Sequence, residues 1–236
     1  MGLPAVDLRP ITRADFPLLC RWLAEPLVAR WWDDDPSPAA VERQYGPSVD
    51  GTDPTAVYLG VHEGEPFGLV QVYAFADEPE SLAELSAVCE VPAGALSIDY
   101  LVGEPEARGR GLGAAMIAAA VARGFADHPE AEDVLVAVAL GNEASWRALR
   151  RAGAQWYAAG ELVPDNPVDP PDHVVHRFTR GPWSALLQSG EPAEEVGGST
   201  RSTLSSSSAG APTPSRLEVV IHSAPSASTA TERNRP

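Results

Sequence analysis

Lysine is absent from this chain of 236 residues; all 17 of its basic side chains are arginine, set against 33 Asp and Glu. The formal charge is −16, and residues 1–183 carry 28 of the acids with 13 of the arginines. A surface of that sign repels nucleic-acid phosphates and anionic membranes, and it favours a cationic partner. Cysteine is scarce as well. Cys20 and Cys89 stand alone in apolar surroundings, so both are expected as reduced thiols and no disulfide framework is implied. His173 and His176 share no ligand spacing with them, and no metal is expected. Runs of 18 apolar residues are missing, as is a basic stretch followed by an apolar one at the N-terminus. The reading is therefore a chain with no membrane span and a cytoplasmic location. Monomer and homodimer both stay open.

Composition divides what is present. From about Ser189 onward Ser, Thr, Ala, Pro and Gly dominate, with a tract at Ser205, Ser206, Ser207 and Ser208. Such a segment cannot bury enough apolar surface to offset its ordering entropy. The expectation is a folded domain over 1–183 and a low-complexity, disordered tail over 184–236. Within that tail Leu217-Glu218-Val219-Val220-Ile221-His222 reads as a strand, a docking motif or, by preference, a plain apolar patch. The remaining residues suffice for a core that buries roughly 70% of the unfolded chain's surface.

Periodicity and punctuation predict a mixed α/β order. Val6 to Pro10 reads as a strand, and Thr12 caps a helix through Trp22. A short helix runs from Pro38 to Tyr45. Strands over 55–63 and 66–75 meet at a tight turn, Glu63-Gly64-Glu65. Residues 76–94 read as an irregular excursion. Strand 96–102, helix 112–126, strand 134–139 and a helix from Asn142 to Arg151 follow, the last ended by Gly153. Strands near 155–160 and 173–179 close the domain. The fold class is α/β (α+β), a mostly antiparallel central sheet flanked by helices.

One stretch carries more chemistry than any other. Arg108-Gly109-Arg110-Gly111-Leu112-Gly113 joins the strand Ser97-Ile98-Asp99-Tyr100-Leu101-Val102 to an alanine-rich helix. Glycines there let backbone N–H groups approach a phosphate, and the helix N-terminus adds its positive dipole end. A dinucleotide fingerprint needs Gly-x-Gly-x-x-Gly, and Gly109-x-Gly111-x-Gly113 has the wrong spacing. A ligand carrying a pyrophosphate is the first hypothesis. Asp99 is the second singular feature, because an acid inside an apolar strand costs several kcal/mol unless hydrated or paired with a cation.

The loop, with Asp99 upstream and Asn142 downstream, resembles the GNAT superfamily of acyl-CoA-dependent N-acyltransferases, whose pyrophosphate motif is Gln/Arg-x-x-Gly-x-Gly/Ala. A narrower likeness covers Val6 to Thr179. Trp22-Leu23, Trp31-Trp32, Gln44-Tyr45 with Pro47-Ser48-Val49, Gly64-Glu65-Pro66 and Ile98-Asp99-Tyr100-Leu101 are similar to aminoglycoside 6'-N-acetyltransferases.

That resemblance implies an acetyl-CoA cosubstrate and a cationic small-molecule amine. Leu101 and Val102 would pair with the pantetheine arm through their backbone. The amides of Arg108, Gly109, Arg110, Gly111, Leu112 and Gly113 would hold the pyrophosphate, and Asn142 would contact the pantetheine side. Asp99 would hold the substrate ammonium and accept its proton, directly or through water; an ordinary Asp is a weak base at neutral pH. Trp31, Trp32, Tyr45 and Asp172 would bind the acceptor, with Trp32 or Tyr45 stacking on a sugar ring. Asp33, Asp34 and Asp35 form a charge run beside them. Two departures stand out: Leu149 occupies the place of the family's proton-donating tyrosine, for which Tyr157 or water would have to substitute, and Ala137 stands where relatives tend to carry Asp. Two other outcomes stay open: acylation of a siderophore precursor or protein N-terminus, and an acyl-CoA- or drug-binding module without turnover.

Overall fold

The computed structural model describes residues 2–189 and 220–221. Of the tail expected to be disordered over 184–236, residues 190–219 and 222–236 lie outside that set, while 184–189 are helical. The described strands form one sheet in the order β1-β2-β3-β4-β5-β7-β6. Here β1 is Asp7–Pro10, β2 Ala56–His62, β3 Glu65–Ala74, β4 Leu96–Val102, β5 Asp133–Ala139, β6 Gln155–Glu161 and β7 Asp172–Thr179. Every neighbouring pair is antiparallel except β4 and β5, which run parallel and touch at a single register pair, Leu96 with Val134. Beyond Leu96 the sheet splays. The two-residue strand β8, Val220–Ile221, lies antiparallel to β4 at Leu101 and Tyr100. Part of the apolar island in the tail therefore forms a strand, as one of the sequence alternatives had it.

The helices α1 (Phe16–Leu23), α2 (Pro26–Trp32), α3 (Pro38–Asp50), α4 (Pro79–Ser86), α5 (Leu112–Asp127), α6 (Glu143–Arg151) and α7 (Arg180–Ser189) cover both sheet faces. Alanine gives α5 high intrinsic propensity and lets it approach β3 and β4 closely. The α5 face of the sheet is the main core, holding Ile98, Tyr100 and Val102 with Met116, Ile117 and Val121. The opposite face carries two separate clusters. One packs α1, α2 and α3 over Val57, Leu59, Leu69 and Leu101, and the other packs Phe75 and Leu85 over Ala95, Leu135 and Val175. The helix α7 runs through position 183, docking Trp183 beside Phe125 and Phe178.

Three helical segments differ from the sequence reading, each for a local reason. The helix α2 begins at Glu25, whose carboxylate accepts from Leu27 and Val28 N–H, and ends at Asp33 in the left-handed region at φ 49°. Neither residue is a usual terminus signal. The helix α3 passes Pro47 and ends at Gly51 (φ 71°), although proline reads as a breaker. The excursion after β3 contains α4, a two-turn helix held by the burial of Leu85.

Candidate active site

The strand β4 alternates, as its period of two requires. Ile98, Tyr100 and Val102 enter the α5 core, while Ala95 and Leu101 enter the two clusters of the opposite face. Ser97 and Asp99 fall between those two clusters. The result is a polar seam on an otherwise apolar face, with Asp99 only 4% exposed.

At one end of the seam lies an open groove lined by Val102, the Gly109–Gly111–Gly113 turn and one face of α6. Gly109 and Gly111 hold φ of 68° and 83°, values an L side chain rarely adopts. A Cβ on Gly111 would meet the Arg151 guanidinium at 2.9 Å. The first intrahelical bond of α5 is Ala115 N–H to the Gly111 carbonyl, so the amides of the first turn ahead of it are free of intrahelical acceptors. The Arg108 amide donates to the Pro105 carbonyl at 3.2 Å, which corrects the expectation that the open amides begin at Arg108. Its side chain is buried, donating to the Val102 carbonyl (3.1 Å) and to Glu25 (2.5 Å), and so clamps the turn to β4 and to the start of α2. Leu112 is buried in the core and Arg110 is exposed.

Sequence reasoning missed the α6 side of this groove. Ala144, Arg147, Ala148 and Arg151 line it. Their i, i+3, i+4, i+7 spacing on one helical face was the available signal. Arg147 also pairs with Glu143, whereas Arg151 has no ion pair among the described residues. In a strongly acidic protein these arginines make a local cationic patch. Asn142 caps α6, accepting from Ser145 N–H at 3.3 Å, and a Tyr100–Ser145 hydroxyl pair at 2.9 Å ties α6 to β4. β8 pairs with β4 at Tyr100 and Leu101, and so takes up one of the two residues, Leu101 and Val102, that the resemblance assigns to a pantetheine arm.

At the other end lies a small pocket floored by Ser97, Ala137 and His173 and walled by Ser81, Glu84, Leu85, Leu162 and Asp165. The loop over 162–171, which contributes Leu162 and Asp165 to that lining, is clasped to α2. Arg30 donates to both oxygens of Asp169 (2.7 and 2.5 Å), and Asn166 donates to the Arg30 carbonyl at 3.1 Å. Arg30 stacks on Trp31 at 4.3 Å, and the far edge of that half-buried ring reaches the Gly141 turn.

The stacking expected of Trp32 and Tyr45 does not fit their placement. Both rings lie in the α1–α3 core, 1% and 0% exposed, because the apolar face of the sheet claims them. They present polar edges instead. Trp32 Nε1–H and Gln44 Nε2–H both donate to Asp34 Oδ2 (2.5 and 2.9 Å), and the Tyr45 hydroxyl, close to Asp34 and Asp99, has no hydrogen-bond partner among the described residues. Burial, then those two carboxylates, pushes the Tyr45 pKa well up. Asp172 sits exposed at the start of β7, outside the pocket lining; Asp165, which no motif flagged, is the loop carboxylate there. Leu149 is fully buried, and the Tyr157 hydroxyl is committed to the Glu90 carbonyl at 3.0 Å. Neither supplies an acid to the seam.

An amide-and-arginine groove and an acidic pocket meeting on a splayed strand can hold a polyanionic cosubstrate against a cationic acceptor. The model of the acetyltransferase (GNAT) domain family matches residues 12–162. The chain belongs to the GNAT acetyltransferase family. It is 29% identical over 166 residues to aminoglycoside N(6')-acetyltransferase type 1 of Klebsiella pneumoniae, covering 69% of this chain and 80% of that protein. Among solved structures it resembles aminoglycoside acetyltransferase AAC(6')-Ib in complex with coenzyme A and kanamycin, with 27% identity, TM-score 0.66 and coverage of 79% and 100% of the two chains. The fold alone is shared with an uncharacterized protein of Bacillus halodurans, at 16% identity, TM-score 0.66 and coverage of 78% and 89%. Among the described residues, no helix is long and apolar enough to cross a membrane.

Proposed function

We propose that this protein transfers an acetyl group from acetyl-CoA to a primary amine of a polycationic small molecule, with the 6'-amine of an aminoglycoside as the leading acceptor. One observation carries the reading. Along β4, Ser97 floors the acidic pocket, Val102 ends the cationic groove, and Asp99 stands between them. That span is about 17 Å at the usual rise of a strand, long enough to seat an extended arm with its reactive end at the seam. The relatives whose structures contain coenzyme A with kanamycin or ribostamycin support both halves of the reading.

In this reading Gly109, Gly111 and Gly113 turn their amides to the pyrophosphate, and Arg147 and Arg151 balance its charge. Asp99 holds the acceptor ammonium and takes its proton, directly or through water. The freed amine attacks the thioester carbonyl carbon, a C–N bond forms and the C–S bond breaks; the nitrogen gives up its extra proton to water, and the departing sulfur takes one from water, since Leu149 has none to give. Orientation supplies most of the acceleration, because the thioester is already activated. Acetylation removes one ammonium and so weakens the grip of such a molecule on RNA phosphates, which makes antibiotic resistance the expected consequence.

The test is thiol release from acetyl-CoA with kanamycin. Release above background that Asp99→Asn abolishes, with cofactor affinity retained, is the expected result. No release with any aminoglycoside across several pH values ends the substrate reading. A second reading, a binding module without turnover, is favoured by one observation: the closed apolar surroundings of Leu149. Tight acetyl-CoA binding in calorimetry without release for any amine selects it.

A further inference from the structure

The link between β4 and α5 is sutured to the corner between α1 and α2 by contacts that the transfer chemistry does not use. A Cβ at Gly103 would collide with the Trp22 indole, and Glu104 accepts from Trp22 Nε1–H at 2.8 Å while pairing with Arg21. Four residues on, Arg108 donates through Nε to the Val102 carbonyl and through Nη2 to Glu25 Oε2. The same Glu25 oxygen accepts from the Leu27 and Val28 amides of the first turn of α2, at 3.0 and 3.1 Å. Three donors therefore converge on one carboxylate oxygen, and the guanidinium among them is 4% exposed. Burial by itself raises the Glu25 pKa, but Arg108 and the two amides outweigh it and hold the group below its ordinary value. Arg108 belongs to the lining of the cationic groove, whereas Glu25 lies outside it.

A buried ion pair is weak grounds for stability, since apolar residues of similar volume often serve a fold as well. What distinguishes this pair is its place. Gly109 and Gly111 hold positive φ, Gly113 follows, and glycine has more backbone freedom to lose than any other residue. Such a turn binds a polyanion tightly only when its amides are already aimed, because ordering it during binding subtracts from affinity. On one side the turn is fixed by α5, where Leu112 and Gly113 are buried. On the other side Arg108 anchors it to the end of β4. A buried guanidinium without a countercharge would be driven toward water, and the turn would move with it. Glu25 supplies that countercharge, and Arg108 in turn cancels the repulsion a carboxylate near this groove would exert on an anion.

We propose that Glu25 is a positioning residue for the cosubstrate, holding Arg108 against Val102 so that the 109–113 turn is set for a pyrophosphate before any ligand arrives. The proposal rests on the acetyl-CoA reading above and extends it to a residue outside the linings of both groove and pocket. Glu25 acts through Arg108, so its loss weakens cofactor binding and leaves the chemistry at Asp99 unaltered.

The test compares the full-length protein with Glu25→Ser. Serine still caps α2 through its hydroxyl but is too short to reach Arg108. Coenzyme A is titrated by calorimetry, thiol release from acetyl-CoA is followed with kanamycin, and amide relaxation gives backbone order parameters for the turn in the free protein. In the variant, coenzyme A is expected to bind about tenfold more weakly and the KM for acetyl-CoA to rise by the same factor, with kcat and the kanamycin KM little changed. Order parameters over 109–113 are expected to fall from about 0.85 to below about 0.6. Because Glu25→Ser strands a buried charge, Glu25→Ser with Arg108→Met is the control for folding. It is expected to recover the wild-type melting temperature without recovering coenzyme A affinity. Affinity that returns together with the melting temperature overturns the proposal, since the pair then serves the fold alone. Unchanged coenzyme A affinity in Glu25→Ser with continued thiol release removes the role of Glu25 and leaves acetyl transfer. A loosened turn and weakened coenzyme A binding, in a protein that releases no thiol with any amine, remove acetyl transfer and leave that role.

Discussion

His176 lies on β7 between β5 and β6, 2% exposed, with its Nδ1 unpartnered among the described residues. Burial, and secondarily Arg150, lowers its pKa from 6.5 to about 4. The sign follows directly. As pH falls through 6.5 the unfolded chain takes up a proton at this position, while the folded chain does not until about pH 4. Stability is therefore complete above pH 6.5 and is lost on acidification between those values. Linkage gives a loss of about 2 kcal/mol from pH 7.5 to pH 5, with a ceiling of roughly 3 kcal/mol below pH 4. Asp165 acts in the opposite sense, since its raised pKa adds stability as pH falls below 8. Asp15 and Glu25, whose pKa values are lowered, titrate beneath this window. The measurement that isolates His176 is the difference between wild type and His176→Gln in urea unfolding at pH 7.5 and pH 5. The variant's stability is expected to fall by about 2 kcal/mol less than that of wild type across the interval. Identical pH dependence in the two proteins refutes the claim that this ring is buried in its neutral form.

Other perturbations test other parts of the fold. A Cβ at Gly103 would lie 2.1–2.5 Å from the buried Trp22 indole, whose Nε1–H is fixed on Glu104. Gly103→Ala is thus expected to cost about 3 kcal/mol in denaturant unfolding, and an unshifted midpoint contradicts the packing. Arg151→Gln removes an arginine of the groove that has no acidic partner among the described residues; the KM for acetyl-CoA is expected to rise about tenfold with little change in kcat. An unchanged KM takes Arg151 out of the phosphate site. Truncation after Gln188 removes β8 from the Tyr100–Leu101 edge. If the backbone of Leu101 and Val102 receives the pantetheine arm, the KM for acetyl-CoA drops several-fold in the shortened protein, whereas equal values show that the two do not compete.

Local signals made much of this molecule legible. The period-two pattern of β4, the alanine run of α5, the Asn142 cap and the Gly153 stop each depend on residues within a few positions of one another, and the structure has all four. So does the Glu63–Gly64 turn, with both residues at positive φ. The phosphate-type turn was readable for the same reason, because three glycines and a helix start form a contiguous device. What the sequence could not reveal depends on long-range encounters. Arg108 reads as a phosphate residue until Glu25, 83 positions away, occupies its guanidinium. Trp32 and Tyr45 read as exposed platforms until the sheet buries their rings and leaves only an indole N–H and a hydroxyl at the site. Asp165 reads as one acid among many in a proline-rich loop. Only when that loop is packed against the rest of the domain do burial, then Asp99 and Asp34, raise its proton affinity. Local backbone preference therefore determined the elements and the turn, whereas solvent exclusion and the approach of like charges, which exist only once distant segments are packed, decided which side chains the site uses.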